Sequence, residues 1–164
     1  MKDFLNSKLE LIGYKRFKYI APVLCIVSDV LWLFFINALI QGPNFLRTFI
    51  VSATRLQGIP DNQISSDYIF MLEGALRSSL SLMLWCFFLY HLIIYSLYLT
   101  KLNWPKTYIK GYAFSAVILS VIPIFSPLFS KISWDPITST LNIVTGPFYF
   151  LAYYGTKYFQ KNQE

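Results

Sequence analysis

The sequence predicts an all-α fold: a polytopic integral membrane protein, built as a four-transmembrane-helix up-down bundle with interfacial amphipathic helices. Three observations predict it. Residues 19–46 carry one charged side chain, Asp29; residues 78–100 carry only His91; residues 111–130 and 136–156 carry none. About 20 apolar residues in a helix cross the roughly 30 Å hydrocarbon layer, so each stretch has the length of one crossing. Hydrophobic residues make up 55% of the 164 and charged ones 13%, well away from the balance of a water-soluble domain. The third observation is where the basic residues fall. Lys2, Lys8, Lys15, Arg16 and Lys18 precede the first stretch, Lys101, Lys106 and Lys110 separate the second from the third, and Lys157 and Lys161 follow the fourth. That puts ten of the fourteen on one side and leaves Arg47, Arg55, Arg77 and Lys131 on the other. By the positive-inside rule both termini are expected in the cytoplasm, and an even number of crossings likewise puts them on one side. The net charge of +6 is thereby assigned to membrane topology, and no nucleic-acid partner is expected.

Taken in order, residues 1–18 read as a cytoplasmic amphipathic segment. Asp3 can cap a helix over 3–17, in which Phe4, Leu5, Leu9 and Ile12 share a face that lies on the anionic lipids of the inner leaflet. The first span is 19–41. Its apolar run exceeds that of a cleaved signal peptide and no small-x-small site follows it, so it is expected to be retained. Residues 42–77 form the extracytoplasmic loop, opened by Gly42-Pro43. Within it Phe45, Phe49, Ala53 and Leu56 recur at helical spacing opposite Arg47, Thr48, Ser52 and Arg55, the pattern of a second amphipathic helix. Gly58-Ile59-Pro60-Asp61-Asn62 is a turn, after which Ser65, Ser66 or Asp67 can cap a helix running through Glu73 into the second span, 78–100. The third span is 108–130, the fourth 136–157, and 158–164 is a cytoplasmic tail. Asn103-Trp104-Pro105 and Trp134-Asp135-Pro136 are connections short enough to force antiparallel neighbours, all within a single membrane domain. Tyr14, Tyr19, Tyr95, Tyr98, Tyr108, Tyr112, Tyr153, Tyr154 and Tyr158 gather toward the inner interface and, with Trp104, read as an aromatic anchoring belt.

Polar residues inside the spans are the candidate functional residues. An ionised carboxylate at the depth of Asp29 is costly unless paired or wetted. Counted along antiparallel helices, Asp29 lies about 15 Å and His91 about 13.5 Å from the inner boundary, so the two can pair if their faces point at each other. Such a polar centre serves either as a clasp between helices or as a proton relay. Pro123, Pro127 and the Gly146-Pro147 pair interrupt the third and fourth spans, and proline frees a carbonyl that must find another partner. Thr138, Asn142, Thr145, Tyr149, Ala152 and Thr156 repeat at alternating steps of four and three, as a packing seam does. That seam can face this bundle or a partner chain, or can line a polar cavity with Ser115, Ser120 and Ser126.

Enzyme signatures are missing. The chain has no CxxC, HExxH, nucleotide-binding glycine loop or GxSxG. Its single histidine cannot supply bis-histidine haem ligation, and Cys25 and Cys86 lie at depths of about 9 and 21 Å, too far apart for a disulfide. Asp61, Asp67 and Glu73 read as solvating a loop rather than as metal ligands, and Ser115 or Ser120 with His91 and Asp29 makes only a remote triad. No cofactor, metal or catalytic residue is expected. The sequence points to a non-enzymatic membrane protein of the bacterial inner membrane, an accessory subunit or homo-oligomer docking through its spans. The alternative is a small proton-sensitive transporter or channel centred on Asp29 and His91.

Overall fold

A computed structural model describes residues 2–58, 65–129 and 136–161. Among these the chain is all-helical, with five helices: α1 (Lys2–Gln41), α2 (Phe45–Leu56), α3 (Ser66–Tyr98), α4 (Trp104–Phe129) and α5 (Pro136–Lys161). Helices α1 and α3 are each long and apolar enough to cross a membrane. Their contacts divide the chain into two compact units, one of Met1–Leu31 with His91–Glu164, the other of Trp32–Tyr90.

In the first unit α1 is interrupted at Gly13, whose φ of 73° and ψ of 153° are open to essentially no other residue. The chain therefore turns at Gly13, five residues ahead of the expected end of the amphipathic segment. Residues 2–12 form a short helix, and 14–18 already belong to the long apolar one. The short helix is fixed to the end of α5. Tyr154 Oη donates to Asn6 Oδ1 at 2.8 Å and Tyr158 Oη to Glu10 Oε1 at 2.7 Å, while Leu9 is buried. Beyond the turn, Phe17, Ala21, Cys25, Ser28 and Asp29 fall on one buried stripe at steps of three and four, the periodicity of a single helix face. On α5 the same periodicity buries Asn142, Thr145, Tyr149, Ala152 and Thr156, so the seam read from the sequence is internal to this chain, with Thr138 half-buried at its start.

Small residues set the closest approaches. A Cβ built on Gly146 would lie 3.3 Å from Ser120 Cβ, so Gly146 lets α5 close on α4. Gly155 accommodates the Phe17 ring, whose Cζ would collide with a Cβ there. Pro147 lies inside α5 and leaves the Ile143 carbonyl without its usual amide partner; Pro22, buried in α1, does the same to Lys18. Helix α4 continues through Pro123 and Pro127 to Phe129, but side chains from 123 onward in α4 are outside the described residues, as are Ser126, the turn at 59–62 and the connection before Pro136.

The second unit holds the end of α1, α2 and the first part of α3. Ser65 is the cap of α3, its Oγ accepting from Asp67 N at 3.3 Å, and the helix then runs unbroken for 33 residues. Arg77 pairs with Glu73 at 2.8 Å and donates to the Gln41 carbonyl at 2.6 Å, closing the C-terminus of α1 with a cation as the helix dipole favours. On α2 the buried stripe is Leu46, Ile50 and Thr54, while Phe45, Phe49 and Leu56 of the expected apolar face are exposed and Ala53 is half-buried. The helix carries two apolar stripes about 100° apart, and Thr54 is tolerated inside because its hydroxyl bonds back to the Ile50 and Val51 carbonyls.

Candidate functional site

The polar centre lies wholly in the first unit and draws on all four of its helices. Asp29, on the buried stripe of α1, accepts hydrogen bonds from three tyrosines. Tyr112 Oη of α4 and Tyr149 Oη of α5 each donate to Oδ1 at 2.6 Å, and Tyr95 Oη of α3 donates to Oδ2. Tyr95 and Tyr149 are buried and Tyr112 is half-buried. A carboxylate has about four acceptor positions, of which three are filled here by phenols.

His91 is fully buried beside this cluster. Its Nε2 lies 3.2 Å from Tyr108 Oη, and its ring centroid stands 4.5 Å from that of Tyr112 and 5.9 Å from that of Tyr95. Asp29 and His91 thus belong to one cluster, with Tyr95 and Tyr112 common to both. Tyr112 and Tyr149 meet edge to face at 5.8 Å, and Tyr108 stacks parallel to Tyr112 at 6.4 Å. One turn nearer the end of α3, Tyr98 Oη and Thr156 Oγ1 lie 3.2 Å apart.

The other polar residues along these helices bond locally. Asn142 Nδ2 donates to the Thr138 carbonyl, Thr145 Oγ1 to that of Leu141, Ser28 Oγ to that of Leu24 and Ser120 Oγ to that of Ala116. Ser115 is exposed, away from any lining it was expected to share with Ser120. Among the described residues every buried side-chain nitrogen or oxygen has a hydrogen-bond partner, and no three or more His, Cys, Asp or Glu converge as metal ligands.

Two of the residues that matter most were misplaced by reading tyrosines as an interfacial belt: Tyr95 and Tyr112 turn inward. Tyr149 was found, but as a member of the seam rather than as a donor. A signal was available. Tyr95 follows His91 by four residues, one turn on the same face, and Tyr149 follows Thr145 by four on the polar stripe of α5.

Chemically, the arrangement suits an ionised carboxylate. Hydrogen bonds to a charged acceptor are shorter and about twice as strong as neutral ones, and three of them offset much of the several kcal/mol that burying the charge costs. Each donor comes from a different helix, so the same bonds orient α3, α4 and α5 about α1. Comparison of the chain with family models, with curated proteins and with solved structures returns no match.

Proposed function

We propose that this chain is a non-enzymatic integral membrane protein, an accessory subunit or homo-oligomer that docks onto other spans in a bacterial inner membrane. In this reading α4 and α5 also cross the bilayer. The four spans alternate in direction, and both termini lie in the cytoplasm, where ten of the fourteen basic residues then collect. Asp29 is the clasp of the bundle. Its bonds to Tyr95, Tyr112 and Tyr149, with the paired state of every other buried polar side chain among the described residues, favour that role over proton or cation transport. A carrier needs its carboxylate to trade donors for substrate, and this one is already held from three sides.

The single observation that carries docking is the first part of α3. From Ser66 to Tyr90 it contains no buried residue, and Gly74, Ala75, Ser78 and Ser79 are exposed. The pairs Gly74/Ser78 and Ala75/Ser79, at the outer mouth of the second span, have the small-xxx-small spacing that lets a second helix approach closely. A Cβ on Gly74 would meet nothing within 4 Å in this chain, so the space beside it is free. The seam of α5 is buried within its own chain, so docking is assigned to α3 instead. Native mass spectrometry of the gently extracted protein tests the reading. A reproducible complex, with a second chain or a further copy, is expected, and Gly74→Leu with Ser78→Leu should dissolve it without unfolding the subunit. A protein that stays monomeric in its own membrane lipids would overturn it.

A further inference from the structure

We infer that the helix of residues 2–12 is a lipid-docking surface, held ready by α5 to bind an anionic membrane leaflet. The inference rests on the membrane reading above and names what this end of the chain touches.

The helix has two faces with different commitments. Asn6, Leu9 and Glu10 lie toward α5, with Leu9 buried, Asn6 half-buried and Glu10 exposed. Asn6 and Glu10 are four residues apart and receive Tyr154 and Tyr158 of α5, themselves four apart, so two hydrogen bonds at matched spacing fix the rotation of the short helix. Once that rotation is fixed, Phe4, Lys8 and Leu11 form the outward stripe, at steps of four and three. Phe4 is 62% exposed and Leu11 80%, and Lys8 Nζ lies 5.5 Å from the Phe4 ring centroid. The turn at Gly13 sets this helix off from the long apolar one directly behind it.

Charge decides what covers the stripe. Lys2, Lys8, Lys15 and Arg16 are exposed and Lys18 is half-buried, while the acids of the same segment are Asp3 and Glu10, the latter engaged by Tyr158. The start of α4 reaches the same place, with Lys106 Nζ 5.9 Å from the centroid of Tyr14. Two large apolar side chains with a lysine between them match the boundary of a bilayer. The rings and methyls enter the acyl region, and the lysine stem lies along them with its ammonium among phosphates. A free anion in water would leave Phe4 and Leu11 uncovered, which singles out a lipid headgroup as the source of the phosphate.

The full chain carrying Leu11→Cys in a Cys86→Ser background can be spin-labelled, since Cys25 is fully buried. It is then placed in nanodiscs of phosphatidylcholine alone, or with about one third phosphatidylglycerol, and the label's access to oxygen and to a water-soluble nickel complex is read. With phosphatidylglycerol the label should sit about 5–10 Å below the headgroup boundary, and Lys8→Glu with Lys15→Glu should bring it back toward water. A label open to the nickel complex in both lipids overturns the inference. So does one shielded from both reagents as the number of chains per disc rises, which would make the occupant a second copy. A second label at Ile118→Cys separates the two readings. If it reports lipid while Leu11 reports water, this inference fails alone; if it also reports water, the membrane reading fails with it.

Discussion

Replacing Tyr149 by phenylalanine removes one hydroxyl and leaves the ring, so it isolates the bond that ties α5 to Asp29 at 2.6 Å. A neutral interhelical hydrogen bond in a bilayer contributes roughly 0.6 kcal/mol, and a charged acceptor about doubles it. Tyr149 is 3% exposed, so water cannot readily take the place of the lost hydroxyl. The carboxylate keeps Tyr95 and Tyr112, which holds the penalty well below that of a stranded charge. The expected loss is about 1–2 kcal/mol. In an Asp29→Asn background the acceptor is neutral and the same change should cost only about 0.6 kcal/mol.

Stability of Asp29→Asn alone does not discriminate, because two opposite effects meet in it. The amide weakens three charge-assisted bonds and forces the Tyr95 hydroxyl to turn from donor to acceptor, yet it no longer requires burial of a charge. Discrimination comes from the coupling. Reversible unfolding of wild type, the two single variants and the double variant, by titrating dodecyl sulfate into mixed micelles, should give a coupling of about 0.4–1.4 kcal/mol between positions 29 and 149. Equal costs of Tyr149→Phe in both backgrounds would refute a charged clasp. No cost in either would refute the bond itself.

Two further predictions follow from packing. Gly155→Ala places a methyl where the Phe17 ring lies and should destabilise by about 1–3 kcal/mol in the same titration, with Phe17→Leu restoring most of it. Failure of Phe17→Leu to rescue would show that the ring does not occupy that space. Asn142→Leu and Thr145→Leu overfill buried positions of α5, so each should lower unfolding stability by about 1–3 kcal/mol while leaving the native mass of the folded protein unchanged. A variant that folds normally but falls out of its complex would return the seam to the partner side.

Much of the helical fold was legible because long apolar runs and local capping chemistry stand openly in a sequence. The helices α1 and α3, the turn at Gly42-Pro43, the cap at Ser65 and the unbroken run through Glu73 all follow from hydropathy and local chemistry. Relative height along the helices can be counted, and Asp29 and His91 lie in one cluster bridged by Tyr95 and Tyr112. Rotation was not legible. A helix that is apolar all round gives no hydrophobic face to point inward, so the inward tyrosines of α3 and α4 were indistinguishable from anchors. On α2 two apolar stripes stood side by side, and residue spacing could not choose between Phe45 with Phe49 and Leu46 with Ile50.

What rotation adds is visible at Asp29. Its two oxygens divide the work: Oδ1 serves α4 and α5, which also close on each other where Gly146 meets Ser120, and Oδ2 serves α3. Moving the carboxylate one position along α1 turns it by about 100° and lifts it about 1.5 Å, enough to break all three bonds at once. Phenols suit this task because each donates one directional bond and carries no charge of its own to bury. An ammonium or guanidinium would satisfy the carboxylate from one helix and leave the others to pack without a common reference. A single acidic residue answered by three tyrosines therefore specifies how four helices turn about one another, which is the information that an apolar sequence otherwise lacks.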